Sequence, residues 1–369
     1  MLASVLSATL HGIDGRVIRV EVDVAPGLPG FAIVGLADAS LQEARERVRG
    51  AIRNSGLVFP PRRITVNLAP ADLRKTGASL DAAIAVAILL GSEQARADGP
   101  WALIGELSLG GELRRVPGIL SMVLALARRG VARVVVPAES AAEAGLVDRI
   151  QIHPVANLAA ALGAIRSGRA ARPRINPARV DLAGPSAGTS SREGPAGAPG
   201  VPVEVPDLEE VRGQAAARRA LEIALAGGHA LLLVGPPGSG KTLLARTIPG
   251  LLPPLDSADA LTTTAIRSAA GEGPILELDT RRPFRAPHHT ISYAGMVGGG
   301  PVLAPGEVTR AHQGVLFLDE LPEFGRDVLE ALRQPLEEGR VAIVRVGRSL
   351  VLPARFQLIA AMNPCPCRH

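Results

Sequence analysis

The residues from Gly235 to Thr242 read Gly-Pro-Pro-Gly-Ser-Gly-Lys-Thr, and an apolar run, Ala230 to Val234, comes directly before them. Glycines at these positions let the backbone curl until successive N–H groups point at phosphate oxygens, and a helix that follows offers its positive end to the same anion. A lysine at the end of such a loop reaches the β- and γ-phosphates, and the hydroxyl after it holds Mg²⁺. The spacing predicts a strand, a phosphate-binding loop and a helix, with a nucleotide as the ligand and Mg²⁺ as its cofactor.

A Gly/Pro turn could match this pattern by chance, but the order of strand, loop and helix argues against that alternative. Lys241 is the predicted phosphate contact and Thr242 the predicted Mg²⁺ ligand. The full set of predicted nucleotide contacts in this segment is Gly235, Pro236, Pro237, Gly238, Ser239, Gly240, Lys241, Thr242 and Leu243.

A second segment, Gly314 to Glu320, reads Gly-Val-Leu-Phe-Leu-Asp-Glu. Its apolar run is typical of a parallel strand that is covered on both faces. At the carboxyl end of that strand, Asp319 is placed to hold the water shell of Mg²⁺, and Glu320 to polarise the water that attacks the γ-phosphate. By itself an Asp-Glu pair would be an ordinary exit from a strand into a loop, but after a phosphate-binding loop it indicates hydrolysis.

A third apolar segment, Phe356 to Met362, delivers Asn363 to the same edge of the predicted sheet, where an amide can orient the attacking water or contact the γ-phosphate. The order lysine, Asp-Glu, asparagine resembles the AAA+ ATPases. Between the second and third strands, residues Arg340 to Pro353 predict a hairpin with two β-rich arms about a Val-Gly-Arg turn.

This hairpin resembles one that a large AAA+ branch inserts before the same strand. In that branch such hairpins line a central pore and often touch DNA. The resemblance implies that Arg345 and Arg348 contact phosphate, and a solvated hairpin tip is the alternative.

Longer motifs resemble the magnesium-chelatase-like subfamily of the AAA+ ATPases and, within it, the ComM/YifB group of bacterial proteins. They are Val211 to Gln214, Ala224 to His229, Phe284 to Ser292, Gly306 to His312 and Asn363 to Cys367. The family pattern implies that Gly213 and Gln214 lie near the adenine and that His288 and His289 belong to an insertion that faces a ring pore. The two histidines also suggest a metal site, but adjacent side chains point apart on a strand and lie about 100° apart on a helix, which disfavours joint ligation.

Residues 1–167 predict a separate domain of mixed α+β class. Its predicted strands are Val17 to Val24, Arg63 to Leu68 and Val131 to Val136, and its predicted helices are Ser40 to Asn54, Leu80 to Leu90 and Gly118 to Arg129. The segments Lys75 to Ala83 and Ile104 to Gly118 resemble the proteolytic domain of Lon proteases, which implies the fold named after ribosomal protein S5 domain 2. The whole chain is then an α/β protein in which a Lon-like domain precedes a P-loop AAA+ domain with a parallel sheet.

The sequence indicates whether this first domain has the residues that peptide cleavage requires. A Lon-type mechanism needs a serine and a lysine whose neutral amine takes the serine proton. Ser79 stands at the serine position, but Leu120 stands where the lysine is expected, and Arg128 and Arg129 stay protonated and cannot act as a base. We therefore expect a non-proteolytic domain in which Ser79 is the N-cap of the following helix.

Composition agrees with two domains and a linker. Residues 168–205, rich in Pro, Gly, Ser and Ala, predict a flexible linker between the first domain (1–167) and the ATPase core (206–369). The formal net charge of +5 fits a partner that carries phosphates, and an aromatic content of 2% argues against base stacking as the main contact with nucleic acid. We find no signal sequence and no long apolar span, so we expect a cytoplasmic protein that does not enter a membrane.

The end of the sequence departs from the family pattern. Cys365, Cys367 and His369 could supply three zinc ligands, and an unpaired tail is the alternative. In the family the arginine finger and the lid-domain arginine follow the Asn363 segment, so we expect an ATPase core without its C-terminal lid. We expect the chain to bind ATP but to hydrolyse it weakly, to assemble poorly, or to be a piece of a longer protein.

The resemblance implies an ATP-driven ring motor, a homo-oligomer and specifically a hexamer, that acts on branched or single-stranded DNA in recombination or natural transformation. By the family pattern Lys241, Glu320 and Asn363 are the catalytic residues. One alternative is an ATPase that remodels protein or serves a protease. A third is metal insertion as in magnesium chelatase, although the sequence shows no porphyrin-binding feature.

Overall fold

The computed structural model describes residues 1–35, 39–71, 78–167, 205–300, 303–345 and 348–364. The chain divides into two compact units. The first comprises Met1–Arg179 with Ser268–Glu277, and the second comprises Val180–Arg267 with Leu278–His369. The segment predicted as a linker, 168–205, lies outside the described residues except for Val205.

The first unit is built on a mixed sheet. Its strands are β1 (Leu2–His11), β2 (Asp14–Ala25), β3 (Gly30–Val34), β4 (Arg63–Ala69), β5 (Ala102–Leu103), β6 (Glu106–Leu107), β7 (Leu113–Arg114), β8 (Arg133–Pro137) and β9 (Gln151–Val155). Its helices are α1 (Ala39–Asn54), α2 (Asp81–Gly91), α3 (Ile119–Arg128), α4 (Ala141–Ala144) and α5 (Leu158–Ser167). The predicted strands and helices of this unit are confirmed, and their ends shift by a few residues, as is usual where helices and strands fray.

In the described residues the main sheet of this unit has the order β3-β4-β2-β1-β5-β8-β9. β2 is antiparallel to both β1 and β4, whereas β5, β8 and β9 continue the sheet in parallel. Alternate residues of β2 are buried, from Ile18 to Val24, because one face of the strand packs against helices. α2 is buried almost throughout and shares this core with α1 and α5.

The second unit carries the remaining elements. Its strands are β10 (Leu231–Val234), β11 (Phe284–Arg285), β12 (Gly298–Gly299), β13 (Ala304–Pro305), β14 (Val315–Leu318), β15 (Arg340–Arg345), β16 (Arg348–Pro353) and β17 (Gln357–Met362). Its helices are α6 (Ala215–Gly227), α7 (Lys241–Arg246), α8 (Ile248–Leu251), α10 (Tyr293–Val297), α11 (Glu307–Arg310), α12 (Arg326–Ala331) and α13 (Arg333–Glu338), and α9 (Ser257–Ala269) begins in this unit.

The central sheet of the second unit has the order β10-β17-β14-β11, and each neighbouring pair is parallel. β14 is buried along its whole length, as its apolar run predicts. β10 lies at the edge of the described sheet, and Leu232 and Val234, which share one face of this strand, remain about half exposed although their run is equally apolar. The predicted hairpin is confirmed: β15 and β16 pair antiparallel from Arg340 opposite Pro353 to Arg345 opposite Arg348.

Candidate nucleotide-binding site

Three strands bring the predicted site residues to one edge of the sheet. β10, β17 and β14 are adjacent and parallel, so their carboxyl ends meet at the same edge. The loop of Gly235 follows β10, Asn363 follows β17, and Asp319 follows β14. Ligands of open parallel sheets bind outside the carboxyl ends of the strands, and this edge is therefore the candidate site.

The loop after β10 depends on glycine at two positions. Gly238 has φ +77° and Gly240 has φ +85°, a left-handed conformation that costs glycine little and strains most other residues. A Cβ atom added at either position would meet no atom within 4 Å. Backbone conformation rather than crowding therefore requires glycine here, and the open space leaves room for phosphate oxygens to approach the loop.

Lys241 closes the loop on itself and on the next strand. Its ammonium group donates hydrogen bonds to the carbonyl oxygens of Gly235 at 2.7 Å and Pro236 at 3.0 Å. It also donates to Asn363 Oδ1 at 3.1 Å. The two residues predicted to contact the γ-phosphate are therefore in direct contact with each other.

Thr242 and Asp319 form the second polar pair of the site. Thr242 Oγ1 donates to Asp319 Oδ2 at 2.7 Å, and Asp319 Oδ1 accepts the Glu320 N–H at 3.0 Å. A hydroxyl and a carboxylate are hard oxygen ligands of the kind that Mg²⁺ prefers, and Mg²⁺ usually keeps several waters beside them. The residues present thus fit the predicted metal.

Glu320 follows Asp319 in an unusual backbone conformation. Its φ is +54° and its ψ is +47°, in the left-handed region that residues with a Cβ rarely adopt. Its side chain is 55% exposed, and one carboxylate oxygen, Oε2, lies 3.3 Å from Nδ1 of His289. Because strained residues cluster at functional sites, this conformation agrees with a working carboxylate at the edge of the sheet.

The segment before α6 contacts the same loop. Gln214 Nε2 donates to the carbonyl oxygen of Ser239 at 3.1 Å, and Val211 packs in the core beneath the site together with residues of β10, β14 and β17. Gly213 has φ +71° and Gln214 has φ +53°. The structure thus places Gln214 beside the phosphate loop, and the contact of Gly213 and Gln214 with adenine stays a prediction.

His288 and His289 do not point their Nδ1 atoms at a common ligand. His288 Nδ1 lies 2.9 Å from Thr290 Oγ1, whereas His289 Nδ1 faces Glu320. No cluster of three or more histidine, cysteine or acidic residues within the described part of the chain could hold a metal ion. Cys365, Cys367 and His369, the other proposed ligands, lie outside the described residues, as do the side chains of Arg345 and Arg348.

Ser79 of the first unit lies in a different environment from the one we predicted. The N-cap of α2 is Leu80 and not Ser79, so the prediction that Ser79 caps this helix is wrong. Ser79 is buried, and its hydroxyl donates to the carbonyl oxygen of Ala8 in β1 at 3.1 Å. Sequence spacing missed this bond because the acceptor belongs to a strand far away in the chain.

Leu120, at the position expected for a Lon lysine, is buried in α3. A buried leucine offers no group that could take a proton. Among the helices in the described residues, none is long and apolar enough to cross a membrane. The parallel sheet, its phosphate loop with Lys241 and Thr242, and the acidic end of β14 together define a P-loop nucleotide-binding domain.

Two family models cover most of the chain: "Magnesium chelatase, subunit ChlI" matches residues 207–369, and "Subunit ChlI of Mg-chelatase" matches residues 20–140. The YifB protein of Salmonella typhimurium is 45% identical over 370 residues, which cover 100% of this chain and 69% of that protein. The chain belongs to the magnesium-chelatase-like ComM/YifB family, and the predicted family is confirmed.

Two other relatives extend this comparison. Competence protein ComM of Haemophilus influenzae is 40% identical over 370 residues, which cover 100% of this chain and 70% of that protein. The magnesium-chelatase 38 kDa subunit of Acidiphilium rubrum is 29% identical over 159 residues, 36% of this chain. The family consists of AAA+ ATPases, which agrees with the nucleotide site described above.

Proposed function

We propose that this chain is the ATP-hydrolysing part of a cytoplasmic ring motor that remodels branched or single-stranded DNA. The observation that carries the ATPase part is the convergence of Lys241, Thr242, Asp319 and Asn363 on one edge of the parallel sheet. Glu320 extends from the same edge with an exposed carboxylate.

The proposed reaction is hydrolysis of the γ-phosphate of ATP. Water forms a bond to the γ-phosphorus, the bond to the bridging oxygen breaks, and Glu320 takes the proton of the water. Lys241 binds the β- and γ-phosphates, and Asn363, held by Lys241, presents its amide N–H groups to the γ-phosphate. Thr242 and Asp319 would hold Mg²⁺, which supplies neutralisation of the phosphate charge when bound.

Three observations support DNA as the partner. One relative, which matches this chain over its whole length, bears the name competence protein. The hairpin β15–β16 carries arginines at its tip, and the chain has a net charge of +5. Arginine contacts to phosphate are independent of base sequence and weaken as salt increases, so this partner would be bound through its backbone.

The first test of nucleotide binding uses the low lysine content of the chain. Its sequence contains only two lysines, Lys75 and Lys241. An acyl-phosphate derivative of ATP, which transfers its acyl group to a lysine amine beside the phosphates, should label Lys241 and spare Lys75. Excess ATP should prevent the labelling. Equal labelling of the two lysines would contradict the proposed site.

The second test measures ATP turnover with three additions: forked DNA, an unfolded protein, and a porphyrin with Mg²⁺. Turnover that rises with DNA, falls with salt and vanishes in Lys241→Ala supports the proposal. Stimulation by unfolded protein alone would favour a protein-remodelling ATPase. Stimulation by the porphyrin alone would favour metal insertion. This addition is included because the chain matches the family model of magnesium chelatase.

We infer that the first unit is a Lon-like domain without peptidase activity. Ser79 is buried and hydrogen-bonded to Ala8, and Leu120 occupies the expected lysine position. Peptide cleavage that is lost in Ser79→Ala would contradict this inference. For the assembly we propose a hexamer, since AAA+ sites lie between subunits, and sedimentation with and without ATP tests it.

A further inference from the structure

One histidine contacts the carboxylate that the proposed reaction uses as its base. His289 Nδ1 lies 3.3 Å from Glu320 Oε2. His289 comes shortly after β11 and Glu320 shortly after β14, and these two strands are parallel neighbours in the sheet. The contact therefore joins two loops at the same edge as the phosphate-binding loop.

The imidazole of His289 lies close to two other rings. Its centroid lies 4.1 Å from that of His288, and the ring of Phe324 stands at 79° to it with the centroids 6.5 Å apart. His288 is itself fixed by Thr290, through the contact of 2.9 Å with its hydroxyl. Only 29% of the His289 side chain is exposed, so its position is set by packing rather than by solvent.

The backbone of Glu320 is held by hydrogen bonds, whereas its side chain is partly exposed. Its N–H donates to Asp319 Oδ1, and its carbonyl oxygen accepts from Glu323 N at 2.8 Å. The side chain is 55% exposed, and within the described part of the chain His289 is the side chain that its carboxylate contacts. A free glutamate side chain samples many rotamers, whereas a base must lie within hydrogen-bond reach of one water.

We propose that His289 is a positioning residue for Glu320. The Nδ1–H group donates to Oε2 and holds the carboxylate, and the other oxygen is left to accept the proton of the attacking water. In other enzymes too, a general base that activates a nucleophile is oriented by a third group. The inference rests on the proposed ATPase function and adds a residue to its site.

The kinetic test compares His289→Ala with His289→Asn. Alanine should lower kcat about tenfold to a hundredfold with little change in KM, because displacement of a catalytic group by about 1 Å costs up to a hundredfold. Asparagine should recover part of the loss, since its amide can donate from nearly the same place. His288→Asn, which changes the neighbouring ring and not the contact, should have a smaller effect.

A structural role would give a different result. In a Glu320→Gln background, His289→Ala should cause no further loss of the residual turnover. A loss of the same size in both backgrounds, or a fall in the unfolding temperature that parallels the fall in kcat, would overturn the proposal.

A spectroscopic readout does not depend on turnover. The chain has seven histidines, so ¹⁵N-histidine labelling gives a small spectrum in which the His289→Ala variant identifies the resonance. At neutral pH we expect hydrogen on Nδ1 and a shifted Nδ1 resonance in Glu320→Ala. An unshifted resonance contradicts the inference even if the chain hydrolyses ATP. Conversely, a shifted resonance without Lys241-dependent turnover would leave the contact intact and reject the proposed function.

Discussion

Lys241 Nζ donates a hydrogen bond to Asn363 Oδ1 at 3.1 Å, across 122 positions of the sequence. The bond fixes the orientation of the amide, because an oxygen that accepts from the lysine leaves the NH₂ group to point elsewhere. A preorganised donor of this kind is suited to the charge that develops on a transferred phosphoryl group.

This pair predicts that the two residues have separable roles. Lys241→Ala should abolish ATP binding, whereas Asn363→Ala should retain binding and lower kcat about a hundredfold, as expected for removal of one preorganised donor. Asn363→Asp is the matched control, since it keeps an acceptor for Lys241 and removes the donor. Turnover and binding of a fluorescent nucleotide measure the two effects. Full activity in Asn363→Asp would contradict a donor role.

The pair of Thr242 and Asp319 predicts the Mg²⁺ requirement. Asp319→Asn and Thr242→Ala should each weaken the apparent Mg²⁺ affinity about tenfold to a hundredfold, because each removes or reorients a hard oxygen ligand. Thr242→Ser retains the hydroxyl and should behave like the wild type. Titration of Mg²⁺ at fixed ATP checks this. An unchanged titration in Thr242→Ala would remove Thr242 from the metal site.

A buried ion pair in the first unit predicts a large effect on stability. Arg47 Nε lies 2.7 Å from Asp81 Oδ2, and Asp81 is fully buried. Asp81→Leu should lower the free energy of unfolding by about 3 to 5 kcal/mol, because it removes the buried carboxylate that accepts two hydrogen bonds from the Arg47 guanidinium. The double variant Arg47→Met with Asp81→Leu should recover most of this loss.

The fluorescence of Trp101 makes it possible to follow the unfolding of the first unit. Trp101 is the single tryptophan of the chain and belongs to the core of the first unit, so its fluorescence in a urea titration reports on that unit. Glu112→Gln, which breaks the exposed contact with Arg114, is the control and should change little. A loss in Asp81→Leu as small as that control would show that the buried pair contributes nothing.

His153 predicts a loss of stability in acid. It is buried beside Trp101, and neither of its ring nitrogens has a hydrogen-bond partner in the part of the chain that the structure describes. Burial, with Arg133 nearby, lowers the pKa of His153 below its ordinary 6.5. The unfolded chain therefore binds this proton first, and the free energy of unfolding should fall as the pH drops below about 6.5.

Asp81 acts in the opposite direction over part of the same range. Burial raises the pKa of Asp81 from 3.8 to about 6, against the hydrogen bond from Arg47. Its folded form takes up a proton first, so its contribution to stability rises as the pH falls from about 6 to 3.8. The difference between wild type and His153→Phe, measured by urea unfolding from pH 7.5 to 5, isolates the histidine. His11→Gln is the control, and identical pH profiles for wild type and His153→Phe would refute the prediction.

Local patterns in the sequence were sufficient for the elements that position the site. The glycines and Lys241 predict the loop, the apolar run of β14 predicts a buried strand, and the β-rich arms from Arg340 to Pro353 predict the hairpin. Each of these depends on neighbours along the chain, through backbone freedom, hydrophobic periodicity or turn chemistry. The family resemblance depends on the same kind of contiguous motif.

Contacts between distant segments were decided by the tertiary structure alone. The sheet order puts β17 between β10 and β14, and its position beside β10 brings Asn363 to Lys241. The bond from Ser79 to Ala8 and the contact of His289 with Glu320 likewise join segments that no periodicity relates. The hydrophobic pattern of a strand predicts which of its faces is buried. The order of the strands and the packing of the loops depend in addition on which buried faces fit together. The contact of His289 with Glu320 and the hydrogen bond of Ser79 were therefore visible only once the chain had folded, whereas the roles of Lys241, Glu320 and Asn363 were predicted from the sequence.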